Sequence, residues 1–202
     1  MALELDIDDM IGFSSYNKKR YIEGAKLVVD VFNSPEFERR IRGFSWQYDG
    51  AHHHDFKNPY VDGSYCSKGD LVELIRSGAD QYNPEKDEDI DIRVTYYYKR
   101  WSSAIGYTYP TTYATWINGK YFNQFAPSSI AGNIGHEYCH NLGFSHSFSN
   151  NPTRRYTVPY AVGYIVKDIA SEMDDRQPTD QYRKCKRIWY IPWKKTCWTI
   201  KG

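Results

Sequence analysis

Apolar residues recur at helical spacing over residues 16–32, where Tyr21, Ile22, Ala25, Val28, Val29 and Phe32 form one stripe. Ser34-Pro35-Glu36 reads as an N-cap and first turn, opening a short helix that stops at Gly43. Residues 44–48 have the composition of a strand, and 51–67 are irregular, with Pro59 and Gly63 among polar residues. Another helix is predicted from about Asp70, on Leu71, Leu74 and Ile75, ending at Gly78. Ile90, Ile92, Val94, Tyr96 and Tyr98 alternate with polar residues, the clearest strand signal in the chain. A further strand is expected over 104–109. Runs at 111–117 and 120–125 flank Asn118-Gly119, which predicts a hairpin. Ser128 or Ser129 is the expected cap of the next helix. Ala161, Val162, Ile165, Val166, Ile169, Ala170 and Met173 repeat at helical spacing and predict a closing helix.

The helix after Ser129 carries the chemistry. Residues 136–146 read His-Glu-Tyr-Cys-His-Asn-Leu-Gly-Phe-Ser-His, the pattern H-E-x-x-H-x-x-G-x-x-H. On equal residue frequencies, H-E-x-x-H arises by chance in a chain this long at about 2%, and the glycine and third histidine lower that about 400-fold. Chance is therefore a poor account of it. Histidines four apart lie on one helical face, about 40° from each other. Gly143 can take positive φ and end the helix, so that the chain turns His146 back toward the same point. Three neutral imidazoles make a zinc site with one coordination position open, the arrangement of catalysis rather than of a structural zinc.

At these residues the chain resembles the metzincin metallopeptidases. The resemblance implies that His136, His140 and His146 hold one Zn2+ and that Glu137 is the general base. It implies an α+β fold: a mixed twisted sheet with an antiparallel edge strand, an active-site helix and a C-terminal closing helix. It also implies β-augmentation of an extended protein or peptide substrate on that edge strand. Tyr113, Thr115 and Ile117 are the expected substrate-binding positions there. The pattern departs from the family at the methionine turn beneath the zinc. Met173 belongs to the closing helix by its spacing, so the turn is expected at Thr157-Val158-Pro159-Tyr160, just before that helix. Val158 or Pro159 would then replace the methionine, and Tyr160, or else Tyr164, would take the place of the family's turn tyrosine.

Composition narrows the setting more than the chemistry. The 202 residues suit a single domain, with a helical part over about 1–43, a catalytic core over 44–180 and a basic aromatic hairpin over 181–202. A net charge of +1 offers no global field for nucleic acid, and no apolar run approaches a membrane span. The first ten residues are acidic and carry no signal-peptide pattern; location stays open, with a secreted or extracellular setting favoured. Four cysteines permit two disulfides, with Cys185 and Cys197 closing the last hairpin and Cys66 and Cys139 left over, or four buried thiols. Cys139 as a fourth ligand would close the zinc site, against a catalytic role.

Three other features carry weaker signals. The acidic run 85–91 reads as a solvated loop, with Ca2+ binding as its alternative. His52-His53-His54 reads as loop, because adjacent residues of an extended chain point to opposite sides. The C-terminal segment from Tyr182 interleaves Arg183, Lys184, Lys186, Arg187, Lys194, Lys195 and Lys201 with Tyr182, Trp189, Tyr190, Trp193 and Trp198. That composition suits a packed hairpin with solvated lysines, or contact with a polyanion or glycan. The expected function is a zinc-dependent endopeptidase. The alternatives are a peptidase directed to a cell wall or surface, and a zinc-containing structural component with little turnover.

Overall fold

The computed structural model describes residues 3–44, 68–78, 87–108, 114–144, 146, 154–174, 182–187 and 195–200. The elements are β1 (Glu4–Ile11), α1 (Ser15–Asn33), α2 (Pro35–Gly43), α3 (Lys68–Arg76), β2 (Asp89–Tyr97), β3 (Gly106–Thr108) and β4 (Ala114–Asn118). They continue with α4 (Gly119–Phe122), α5 (Pro127–Asn141), a 3-10 turn (Arg154–Tyr156), α6 (Val158–Asp174), β5 (Tyr182–Arg187) and β6 (Lys195–Ile200). The chain divides into two compact units, Met1–Ala170 and Ser171–Gly202.

The first unit joins helices to a four-stranded mixed sheet of order β1-β2-β4-β3. β1, β2 and β4 run parallel, and β3 pairs antiparallel with β4 at the edge. Ile90, Ile92 and Val94 of β2 are buried, as a strand inside a sheet requires. Ile90, Ile92 and Thr115 line a small cavity together with Tyr21 of α1 and Ile134 and Tyr138 of α5. The core thus lies between the sheet and the packed pair α1 and α5. The second unit contains an antiparallel ladder in which Cys185 stands opposite Cys197.

Four expectations need correction. Residues 1–43 are helical only in part, because Glu4–Ile11 forms β1. Its acidic residues hide the strand pattern, and parallel pairing with β2 supplies what propensity does not. Asn118-Gly119 is not a hairpin turn. Asn118 is fully buried and spends its side chain on the backbone: Oδ1 accepts from Lys99 N and Lys120 N, and Nδ2 donates to Lys99 O and Ala104 O. It caps α4, so residues 120–125 are not a strand. The Arg20 side chain reinforces this, donating to the carbonyls of Phe122 and Phe125. The cap of α5 is Ala126 rather than Ser128 or Ser129, with Pro127 preset in the first turn. Finally, β4 is not the sheet edge. Thr115 and Ile117 already pair on both sides, with β2 and β3, so their backbones cannot take up an added strand. The terminal strands among the described residues are β1 and β3, and β3 is the antiparallel one. Tyr113, residues 45–48, His52-His53-His54 and Cys66 lie outside the described residues.

Ser34 joins two helices. Its hydroxyl donates to Val31 O at 2.7 Å, closing α1, and accepts from Phe37 N at 3.1 Å, opening α2. Phe32 and Phe37, both fully buried, pack at 4.9 Å between ring centroids across this junction. Ser34→Ala is expected to lower the free energy of unfolding by about 1–2 kcal/mol in a urea titration, and a loss below about 0.3 kcal/mol would contradict the double cap.

Candidate metal centre

Helix α5 delivers His136 and His140 on one face, one turn apart. It ends in a Schellman motif: Phe144 N donates to Cys139 O at 3.0 Å and Gly143 N to His140 O at 2.9 Å. Gly143 has φ +90°, a conformation that a side chain would strain. The reversal has two consequences. Phe144 O lies 2.8 Å from His140 Nδ1, which fixes the tautomer carrying the lone pair on Nε2. His146 comes back onto His136, with their Nε2 atoms 3.2 Å apart. Two nitrogens bound tetrahedrally to zinc at about 2.05 Å are separated by about 3.3 Å. One ligating atom from each of the three histidines lies within 4.8 Å of the other two. The donor set and its spacing fit a zinc ion.

Electrostatics favour the metal-ready form. Burial depresses His136 well below the usual histidine value, and the neighbouring imidazoles add to it; a bond to the Pro159 carbonyl opposes the shift. Burial also lowers His140 to about 4, against the opposing bond to Phe144 O. Both rings are therefore neutral near pH 7 and need not release a proton to ligate.

Glu137 is 4% exposed. Burial raises its pKa from 4.5 to about 7, although hydrogen bonds from Thr108 and Asn133 hold it down. Thr108 Oγ1 donates to Glu137 Oε2 at 3.1 Å, and Asn133 Nδ2 approaches Oε1 at 3.5 Å. Cys139, on the same helix, is buried, and that burial pushes its thiol up and away from the thiolate a metal needs.

Thr157-Val158-Pro159-Tyr160 is not a turn ahead of the closing helix. α6 begins at Val158, so these residues form its entry and first turn. Val158 is fully buried and Met173 stands at the far end of the helix. α6 approaches α5 closely because both lack a side chain at the contact. A Cβ on Gly163 would lie 2.8 Å from Gly132 O and 3.1 Å from His136 Cβ. Through that approach Tyr160 packs on the histidines, its ring centroid 4.5 Å from His136 and 4.8 Å from His146. The Arg154 guanidinium lies over the ring of Tyr160 itself, 4.6 Å from its centroid. Burial raises the Tyr160 pKa, which Arg154 opposes, so the phenol keeps its proton at neutral pH. Tyr164 is 53% exposed and packs on Tyr160 instead.

The structure therefore gathers His136, His140, His146, Tyr160 and Pro159, with Glu137 on the adjoining face of α5. Thr115 lines one small cavity with Glu137 and bonds Thr108, and Ile117 is buried in the sheet. Sequence reasoning missed Asn133, Thr108, Arg154 and the Phe144 carbonyl. Asn133 was legible, being four residues before Glu137 on the helix; the rest depend on tertiary contacts. The acidic run enters β2, where Asp89 and Asp91 gather with Asp6 so that one carboxylate oxygen of each lies within 4.8 Å of the others. Compared with known proteins, the chain matches no family model, no curated protein and no solved structure.

The raised Glu137 value sets a pH dependence. Between 4.5 and about 7 the folded metal-free chain holds a proton that the unfolded chain releases, so stability falls as pH rises through that window. The full shift amounts to about 3 kcal/mol. Glu137→Gln is expected to flatten this slope and to make the metal-free protein more stable than wild type at pH 8 in urea titrations. An unchanged slope would contradict the buried carboxylate. Gly143→Ala is expected to cost about 1–2 kcal/mol of stability and to weaken zinc uptake in a competitive chelator titration, since φ > 0 is strained for alanine.

Proposed function

We propose that this protein is a zinc-dependent endopeptidase of the metzincin type. The observation that carries the reading is the convergence of His136, His140 and His146, with Nε2 atoms 3.2 Å apart on the first and last. Zinc bound there would acidify a water and polarise a scissile carbonyl. Glu137 supplies the base. Its pKa near 7 lets it take a proton from water and return it to the leaving amine at neutral pH. Tyr160 keeps its phenolic proton and packs edge-on against His136 and tilted against His146, a position from which it would donate to a developing oxyanion. β3 is a terminal strand of the sheet among the described residues and runs beside Glu137, which suits pairing with an extended polypeptide. In this reading Val158, fully buried in the first turn of α6, stands in for the family's methionine as the apolar residue of that segment.

One observation favours a second reading, a zinc-containing structural component with little turnover. Glu137 is 4% exposed and both its oxygens have partners within the protein. A carboxylate held so tightly must still reach water to act.

The two readings part on one experiment. Unfolded proteins incubated with the purified chain should be cleaved at internal bonds, with cleavage abolished by a chelator and restored by zinc. Glu137→Ala is expected to retain one zinc per chain and to lose about 100-fold or more in kcat. Retained hydrolysis in that variant would remove Glu137 as the base, and zinc without any hydrolysis by wild type would favour the structural component.

A further inference from the structure

We propose that Thr108, on the edge strand β3, is a positioning residue that anchors one oxygen of Glu137 and leaves the other to accept the proton. The inference rests on the endopeptidase reading above and assigns the two carboxylate oxygens different roles.

Thr108 Oγ1 lies 3.1 Å from Glu137 Oε2 and 3.0 Å from Thr115 Oγ1. Each hydroxyl has one proton, and an ionised carboxylate can only accept. Thr108 therefore donates to Glu137, and Thr115 donates to Thr108. The direction of this two-hydroxyl chain is set by the carboxylate at its end. Thr115 is buried in β4 and directly opposite Thr108 in the ladder, so the donor behind Thr108 is held by the sheet itself. Oε2 thus receives a charge-assisted bond from a fixed direction.

Oε1 has different surroundings. Its hydrogen-bond partner is Asn133 Nδ2 at 3.5 Å, the outer limit of a hydrogen bond. Beside it lies Gly106, two residues before Thr108 and so on the same face of β3. A Cβ at Gly106 would stand 3.0 Å from Oε1. The strand presents a hydroxyl to one oxygen and a bare Cα to the other. Between them, Thr108 and Gly106 fix the rotamer of Glu137 and keep room at Oε1. Tyr107 points to the opposite face, stacked on Trp116 at 5.2 Å and 7°, which ties the short edge strand to β4. The same strand that would pair with substrate therefore orients the base, and placement of the substrate and of the proton acceptor are mechanically linked.

The test compares the zinc-loaded full chain with Thr108→Val, which keeps the shape and β-branching, and Thr108→Ser, which keeps the hydroxyl. Steady-state kinetics are read alongside zinc content and the calorimetric affinity for acetohydroxamate, whose acidic protons face a base beside the metal. Thr108→Val is expected to keep zinc and KM while losing about 10–100-fold in kcat, with a parallel loss of hydroxamate affinity. Thr108→Ser is expected to recover most of both. A Thr108→Val variant within about twofold of wild type in kcat and hydroxamate affinity would overturn the proposal, as would a Thr108→Ser variant no better than Thr108→Val. If Thr108→Val loses its cooperative thermal transition, Thr108→Ala against Thr108→Ser decides by the same criteria. If the wild-type chain hydrolyses nothing, the endopeptidase reading falls, and the hydroxamate comparison still decides the role of Thr108.

Discussion

Helix α5 gives up solvent to the sheet, to α1 and to α6, so the polar groups of the site depend on partners inside the protein. That loss of water is the source of the site's properties. It lifts Glu137 to about 7, lowers His140 to about 4 and keeps the Cys139 thiol protonated. The partners are few and specific. Thr108 and Asn133 serve Glu137, Phe144 O serves His140, and Pro159 O serves His136. A hydrated helix of the same sequence would carry ordinary histidines and an ordinary glutamate. Desolvation makes neutral imidazoles and a carboxylate with affinity for protons near neutrality, at a cost in stability that the rest of the core must offset.

Such dehydration needs close neighbours. Gly132 and Gly163 let α5 and α6 touch backbone to side chain, which seats the first turn of α6 over His136. Pro159 and Tyr160 reach the histidines for that reason and through no signal of their own. On the opposite side the short strand β3 comes near enough to Glu137 to bond it because Gly106 carries no side chain. The site is thus held between a helix and a strand edge, each brought in by a missing Cβ.

Much of this was legible in the chain. α1 and α2 follow their apolar stripes and the Ser34 cap within a residue or two, and β2 follows its alternation. The ligand set was legible because its geometry is local: i and i+4 on a helix, then a glycine turn ended by Phe144. What misled was local pattern in a non-local setting. Asn118-Gly119 has the hairpin signature, yet Asn118 is consumed by Lys99, Ala104 and Lys120, which only the loop after β2 could reveal. β1 is too acidic to look like a strand and exists through its pairing with β2. Thr115 and Ile117 looked like an edge because alternation says nothing of strand order.

The sequence by itself determined the candidate site, since eleven consecutive residues, 136–146, contain the three histidines, the glutamate and the turn that closes the set. Short-range geometry on a helix is a property of the backbone and survives any tertiary context. Only the tertiary structure decided which strand lies at the sheet edge, which hydroxyl holds Glu137, and that the closing helix begins at Val158. Those are outcomes of strand order, helix crossing and desolvation. Each is set by contacts between residues tens of positions apart, and no local pattern encodes them.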